Sequence, residues 1–251
     1  MNQKLLRRDV FRSLPALASP AGLQSQSNQV AESFQPIRAL LSGNDPVTWV
    51  FTGDSITHGA LHTMGWRSYP EHFAERIRWE MRRVRDIVIN TGISGDTMGG
   101  LLKDMDWRVH RFLPHVVSLM MGMNDCVGGP GGRTGFRRNL DVCLDQLRAR
   151  KSLLLLHTPN QIYTPATPKR SDLPAYVEII REFAAETRVP LVDHYAHWTE
   201  SRKDYYELIY LLSDGSVHPN QYGHAEFAKL LFQKLAIFDP STSRTCRQFV
   251  P

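Results

Sequence analysis

The residue in this chain that is best placed to act in catalysis is a serine on a glycine-flanked turn. Ser55 lies within residues 51–59, which read FTGDSITHG and directly follow an apolar run at 47–51. A strand that ended there would place Ser55 at the carboxyl edge of a parallel sheet, where open α/β sheets bind their ligands. Ser55 is therefore the candidate nucleophile.

A serine hydroxyl needs a base to accept its proton before it can attack at neutral pH. His218 is the best placed of the ten histidines, because Asp214 precedes it and Pro219-Asn220 indicates the start of a helix. Asp214 could hold the imidazole in the required tautomer, as the third member of a triad does. The alternative is that a histidine beside a proline merely caps a helix.

Two further turns could stabilise the oxyanion that develops during acyl transfer. Residues 90–97 (NTGISGDT) contain Gly95, whose backbone amide could approach a substrate closely. Residues 122–125 (GMND) follow the apolar run 116–121 and offer the side-chain amide of Asn124. Each pattern alone is more typical of an ordinary turn or helix cap.

These four blocks, in this order, resemble the SGNH hydrolases, also called the GDSL esterase and lipase superfamily, over about residues 46 to 237. The resemblance implies that Ser55 is the nucleophile and His218 the base. It also implies an oxyanion hole formed by the amides of Ser55 and Gly95 and the side chain of Asn124. The implied fold is a flavodoxin-like three-layer α/β/α sandwich.

The spacing of the last block departs from that family pattern. The family usually has Asp-x-x-His, whereas Asp214 precedes His218 by four positions. Gly215 could absorb the extra residue, since glycine adopts backbone angles that are closed to other residues. A backbone carbonyl or a water molecule could instead orient His218.

The alternation of short apolar runs with amphipathic stretches predicts an α/β domain with a five-stranded parallel sheet. The predicted strands are 47–52, 86–90, 116–121, 152–157 and 190–193. Helical spacing recurs between and after them in three apolar stripes. These stripes are Phe136, Leu140, Leu144 and Leu147; Leu173, Val177, Ile180 and Ala184; and Phe227, Leu230, Leu231 and Leu235.

Length and composition predict one catalytic domain at 46–238, flanked by tails at 1–45 and 239–251. The chain has 251 residues, of which 42% are hydrophobic, so it can build one sizeable core. Arg7-Arg8 followed by a mildly apolar stretch resembles a twin-arginine export signal, which predicts a periplasmic or secreted enzyme. The alternative is a disordered tail on a cytoplasmic enzyme. No run approaches the length that spans a bilayer.

Cysteine content and charge indicate neither a disulfide framework nor a nucleic-acid partner. Cys126, Cys143 and Cys246 cannot all pair within one chain, and none lies in a Cys-x-x-Cys arrangement. The net charge is +5, and its basic cluster at 76–85 has apolar residues at helical spacing, which favours a solvated helix face.

Two other chemistries are weaker alternatives. The glycine-rich segment 128–134 could cradle a phosphate but lacks P-loop spacing, so a mobile lid or a plain flexible loop is favoured. Histidine pairs could bind a metal but lack the helical His-Glu-x-x-His arrangement, so no metal or cofactor is expected. These pairs are His58 with His62 and His194 with His197.

The predicted function is a serine esterase that cleaves short-chain carboxylic esters, with a carbohydrate O-acetyl ester as the favoured substrate. We expect substrate contacts from Asp54, His58, Met123 and Trp66, which lie in or near the loops that carry the site. The alternatives are a lysophospholipase or thioesterase-type acylhydrolase, and a sugar-binding protein without catalysis. The oligomeric state is left open.

Overall fold

One parallel sheet of five strands organises the molecule. The computed structural model describes residues 32–202 and 204–249. The strand order is β2-β1-β3-β4-β5, with every neighbouring pair parallel, which confirms the predicted α/β sheet of the doubly wound, flavodoxin-like type. The strands are β1 Thr48–Gly53, β2 Ile87–Asn90, β3 Val116–Met120, β4 Leu153–His157 and β5 Leu191–Val192.

Helices cover both faces of this sheet. They are α1 Gln35–Ser42, α2 Ser55–His58, α3 Tyr69–Glu75, α4 Met98–Arg108, α5 Gly129–Ala149, α6 Leu173–Thr187, α7 His194–Ser201, α8 Tyr205–Tyr210, α9 Gln221–Lys234 and α10 Arg244–Arg247. Helix α5 packs between α4 and α6, whereas α3 packs against α9. All three predicted apolar stripes are buried in the core. None of the helices in the described ranges is long and apolar enough to cross a bilayer.

The register of the central strands brings the loops that follow them to one edge. Gly53 at the end of β1 pairs with Met120 at the end of β3, and Phe51 pairs with Asn90 at the end of β2. β1 and β3 are almost entirely buried and mostly apolar, as expected for strands that are covered on both faces. The segments that contain Ser55, Gly95 and Asn124 therefore start from neighbouring points on the sheet.

The packed body extends beyond the predicted domain at both ends. Ile37 and Leu41 of α1 are buried in the core before residue 46, and Cys246 and Phe249 are buried after residue 238. The predicted tails therefore contribute to the core within the described residues. The predicted export signal lies within residues 1–26, outside the described residues.

The glycine-rich segment is not the loop or lid that the sequence suggested. Helix α5 begins at Gly129, with Pro130 in its first turn, where proline fits a helix without loss of a hydrogen bond. A Cβ on Gly132 would lie 2.4 Å from the Tyr176 hydroxyl, which itself donates a 2.9 Å hydrogen bond to the carbonyl of Gly129. Glycine is thus needed here for close packing of α6 against α5.

The basic cluster at 76–85 is only partly a solvated helix face. Helix α3 continues into the π-helical segment Arg76–Glu80. The guanidinium of Arg76 is buried and donates to the carbonyl of Ile237. Arg83 forms a bidentate ion pair with Asp86. Two arginines of the cluster therefore stabilise the packed structure.

Candidate active site

Three side chains form a continuous hydrogen-bonded chain at the carboxyl edge of the sheet. The Ser55 hydroxyl lies 3.0 Å from Nε2 of His218, and Nδ1 of His218 lies 2.6 Å from a carboxylate oxygen of Asp214. Ser55 and His218 are 163 positions apart in the sequence, so their contact depends on the whole fold. This arrangement can pass a proton from the hydroxyl to the imidazole, whose positive charge the carboxylate would stabilise.

The loop 213–218 accommodates the extra residue between Asp214 and His218. Gly215 adopts a left-handed conformation with φ of 66°, which glycine reaches without steric cost. The other oxygen of Asp214 accepts hydrogen bonds from the backbone amides of Ser216, Val217 and His218. Burial alone would raise the pKa of Asp214, but the bonds from His218 and from these amides hold its pKa well below its usual range. The carboxylate is therefore ionised at neutral pH.

The Ser55 turn is formed by the end of β1 and the short helix α2. Asp54 caps α2 by accepting a 2.9 Å hydrogen bond from the amide of Ile56. The helix ends at Gly59, whose φ is 72°. A Cβ on Gly53 would lie 2.4 Å from the carbonyl oxygen of Met120, so only glycine fits where β1 meets β3. The Ser55 side chain is thus held by buried backbone.

Asp54 is itself an unusual buried acid. It is 1% exposed, and its Oδ2 has no hydrogen-bond partner among the described residues. Burial raises the pKa of Asp54 to about 7, against the effect of the hydrogen bond from Ile56. The side chain is therefore a cap within the interior, and the prediction that Asp54 contacts substrate does not agree with its burial.

The predicted oxyanion segments are tied to each other and to the Ser55 turn. The side-chain amide of Asn124 donates a 2.9 Å hydrogen bond to the carbonyl of Asp96, the residue after Gly95. Gly95 has φ of 83°, and the space where a side chain would begin is open. The amide of Ile93 donates to the carbonyl of Gly53 at 3.0 Å. The structure therefore brings the loops after β1, β2 and β3 together.

A fully buried arginine holds together the junction of the loops that follow β1, β2 and β3. Arg108 of α4 is 0% exposed and forms an ion pair with Asp96. The same guanidinium donates to the carbonyls of Gly53 and Thr91, at the ends of β1 and β2. A buried charge needs such complete pairing, since an unpaired one is very costly. No local sequence pattern indicates this role, because Arg108 lies within an ordinary helix.

His62 lies beside the candidate base His218. The sequence indicates His62 only as a possible metal ligand. Its ring stacks on that of His218 with centroids 3.7 Å apart and planes 2° apart, and its Nδ1 lies 3.1 Å from the Ser213 hydroxyl. Burial and the neighbouring His218 lower the pKa of His62, while Asp214 opposes the shift. A neutral His62 therefore covers one face of the His218 ring.

His62, Asp214 and His218 also form a group whose potential metal-ligating atoms lie within 4.8 Å of one another. Imidazole binds a metal along its lone pair, in the plane of its ring. The two rings are parallel and stacked, so one ion cannot lie in both ring planes. The geometry therefore fits a proton-transfer chain better than a metal site.

The other residues predicted to contact substrate differ in the exposure of their side chains. Trp66 is 66% exposed, and the exposed His58 lies 3.0 Å through Nδ1 from the Ser94 hydroxyl, so both can meet a ligand. Met123 is 1% exposed and packs in the core, which contradicts its predicted contact with substrate. Of the remaining metal candidates, His194 is buried against His157, whereas His197 pairs with Glu226.

A second serine–histidine pair shows why distance alone does not define a site. The Ser118 hydroxyl lies 2.8 Å from Nε2 of His157, whose Nδ1 lies 3.0 Å from Nε2 of His194. All three side chains are buried, and burial lowers the pKa of His157 to about 3. This chain of polar groups is inaccessible to substrate, unlike the one at Ser55.

Comparison with known proteins identifies a family. The model of the GDSL-like lipase/acylhydrolase family matches residues 51–226. An acetylxylan esterase from Geobacillus stearothermophilus is 28% identical over 210 residues, which cover 74% of this chain and 92% of that protein. A protein of Mycoplasma pneumoniae is 30% identical over 102 residues, which cover 39% of this chain and 11% of that protein.

Solved structures share the fold. The crystal structure of the Geobacillus stearothermophilus acetylxylan esterase has a TM-score of 0.63 at 23% identity, covering 75% of this chain and 94% of that one. A GDSL-like lipase from Parabacteroides merdae has a TM-score of 0.65 at 18% identity, covering 77% and 97%. With the match to the family over most of its length, the chain belongs to the GDSL-like lipase/acylhydrolase family and is by class a hydrolase of ester bonds.

Proposed function

We propose that this protein cleaves carboxylic esters through an acyl-enzyme on Ser55. The observation that carries the proposal is the 3.0 Å contact between the Ser55 hydroxyl and Nε2 of His218, with Asp214 on the opposite nitrogen. His218 accepts the Ser55 proton while the serine oxygen attacks the ester carbonyl. The bond to the alcohol then breaks, and the alcohol leaves with the proton from His218.

The second half of the reaction uses the same groups. Water gives a proton to His218 and attacks the acyl carbonyl, which releases the acid and restores the serine hydroxyl. In both halves the amides of Ser55 and Gly95 and the side chain of Asn124 donate hydrogen bonds to the oxyanion. Asp214 keeps Nδ1 of His218 protonated, so that Nε2 is free to act as the base.

The favoured substrate is an O-acetyl ester of a carbohydrate. The acetylxylan esterase similarity supports this proposal, as do exposed aromatic rings on both sides of the loop 213–218. Tyr210 and Tyr222 stack with centroids 5.0 Å apart, and Tyr206 is 76% exposed beside them. These three tyrosines line a groove of about 570 Å³ beside the loop, together with charged side chains of α8, of α9 and of the residue that follows α7; the triad residues are not part of its lining. Aromatic faces with nearby polar groups suit sugar rings.

A chain-length series of p-nitrophenyl esters, run beside an acetylated xylo-oligosaccharide, tests this function. We expect the acetyl ester to be cleaved fastest and the saccharide to release acetate. Ser55→Ala should abolish both activities, whereas Ser42→Ala, a change on the exposed end of α1, should leave them unchanged. Preference for long acyl chains would favour the lysophospholipase-type alternative. Saccharide binding without acetate release would favour a non-catalytic role.

A further inference from the structure

Arg170 contacts the oxyanion segment from a loop that the proposed reaction does not use. It ends the short 3-10 helix Pro168–Arg170, which lies between β4 and α6. Its Nη2 donates to the side-chain oxygen of Asn124 at 2.9 Å, and its Nε donates to the carbonyl of Met123 at 3.1 Å. One guanidinium therefore holds both the backbone before Asn124 and the acceptor end of its side chain.

The orientation of the Asn124 amide decides whether it can stabilise an oxyanion. Only the nitrogen end donates, and an oxygen in its place would repel the developing negative charge. In the observed orientation the nitrogen donates one hydrogen to the carbonyl of Asp96, and it has a second hydrogen to offer. A reversed amide would set its nitrogen against Arg170 and its oxygen against the Asp96 carbonyl, which loses both bonds.

The charges around this junction give the guanidinium a second effect. Asp54, Asp96 and Asp125 lie near one another, and negative charges there oppose an oxyanion. Arg108 pairs with Asp96, and burial raises the pKa of Asp125 to about 6 despite hydrogen bonds from backbone amides. Arg170 adds positive charge on the side where Asn124 is held.

We propose that Arg170 is a positioning residue that fixes the Asn124 side chain with its donor end toward the ester oxygen and polarises that amide. The inference rests on the proposed function, since it assigns a role within the same oxyanion hole. It predicts that Arg170 acts through Asn124 and has little effect on the binding of the ground-state substrate.

A double-mutant cycle tests this dependence, with p-nitrophenyl acetate as the substrate. Arg170→Ala should lower kcat by about tenfold or more, on the scale of lost charge-assisted hydrogen bonds, with KM changed by less than about threefold. Asn124→Ala should lower kcat by about 10²- to 10³-fold. In the Asn124→Ala background, Arg170→Ala should cause no further loss. Additive losses, or an unchanged rate in Arg170→Ala, would overturn the proposal.

Two controls separate this role from a general effect on folding or activity. Lys169→Ala removes the neighbouring exposed cation of the same short helix and should leave kcat unchanged. Arg170→Lys should recover part of the rate, because a single ammonium can still reach one of the two oxygens. If Lys169→Ala is as slow as Arg170→Ala, bulk charge rather than the Asn124 contact is responsible.

A structural measurement keeps the proposal testable even if the wild-type protein does not cleave esters, which would contradict the proposed function alone. In a crystal structure of Arg170→Ala, or of Arg170→Met if that variant does not fold, the Asn124 side chain should adopt another rotamer and its nitrogen should lie beyond hydrogen-bond distance of the Asp96 carbonyl. An Asn124 side chain that keeps its position and its bond to Asp96 would refute the positioning role.

Discussion

The two halves of the Ser55–His218 contact are built in opposite ways. The turn 53–57 is buried, and its geometry is set by the sheet, since Gly53 is packed against β3 and accepts hydrogen bonds from Ile93 and Arg108. The loop 213–218 is mostly half-buried, and only Val217 belongs to the core. Its shape is set by a bridge between Leu212 and Pro219 and by the hydrogen bonds to Asp214, and Asn160 and Tyr163 donate to its carbonyls from another loop.

Because of this difference, we expect substitutions in the two regions to affect different properties of the protein. A change in the Ser55 turn disturbs the core and should be measured first as lost stability. A change at Asp214 or His218 in the loop leaves the core intact and should be measured first as lost turnover, because the imidazole must stay within hydrogen-bond range of the serine. The following substitutions test that division.

The largest effect is expected from Asp214 in the loop. Asp214→Ala and Asp214→Asn should each lower kcat by about 10⁴-fold, as the loss of the carboxylate in other serine triads does. Asparagine can still accept the bonds from the loop amides, so it separates loop geometry from charge. Steady-state kinetics over a range of pH, with thermal melting as the folding control, give the comparison.

Each variant has a distinct contrary outcome. Wild-type turnover in Asp214→Asn alone would mean that Asp214 serves the loop backbone and not the imidazole. Unchanged turnover and pH profile in Asp214→Ala would mean that another group orients His218, as the unusual spacing first suggested.

The second largest effect, a loss in the free energy of unfolding, is expected from a matched pair of glycine substitutions. Gly53→Ala should reduce the free energy of unfolding by about 3 kcal/mol, because the new Cβ would lie 2.4 Å from a backbone oxygen that cannot move freely. Gly215→Ala meets no neighbour and should cost only the left-handed conformation, about 1 to 2 kcal/mol. Urea unfolding measures both, and equal losses would contradict the division between core and loop.

The fold was predictable because its signals are local. The predicted strands agree with the observed ones to within one or two residues, since each is a short apolar run that ends at a turn. The apolar stripes on α5, α6 and α9 are buried as their helical spacing indicates. The prediction of a lid or flexible loop at the glycine-rich start of α5 was wrong. Its small residues pack against Tyr176, which lies on another helix.

The site was predictable only in part. The segments that contain Ser55, Gly95, Asn124 and His218 have recognisable local motifs, and the match over residues 51–226 confirms the family that these motifs indicate. Arg108, Arg170 and the stack of His62 on His218 depend on contacts between distant segments, which no short pattern encodes. Met123 was predicted to contact substrate from its place in the motif, but its side chain is 1% exposed and packs in the core, which the motif does not encode.

The smallest effect is expected from His62, which links the two regions by lying after the Ser55 helix and stacking on His218. His62→Ala should lower kcat by up to about tenfold, since aromatic pairs contribute about 0.5 to 1.5 kcal/mol beyond area burial. His62→Phe keeps an aromatic face and should remain within about threefold of the wild type. If His62→Ala retains full turnover, the stack is incidental and Asp214 alone holds the imidazole. If both variants lose activity equally, the hydrogen bond between His62 and Ser213 matters more than the ring, because phenylalanine cannot make it.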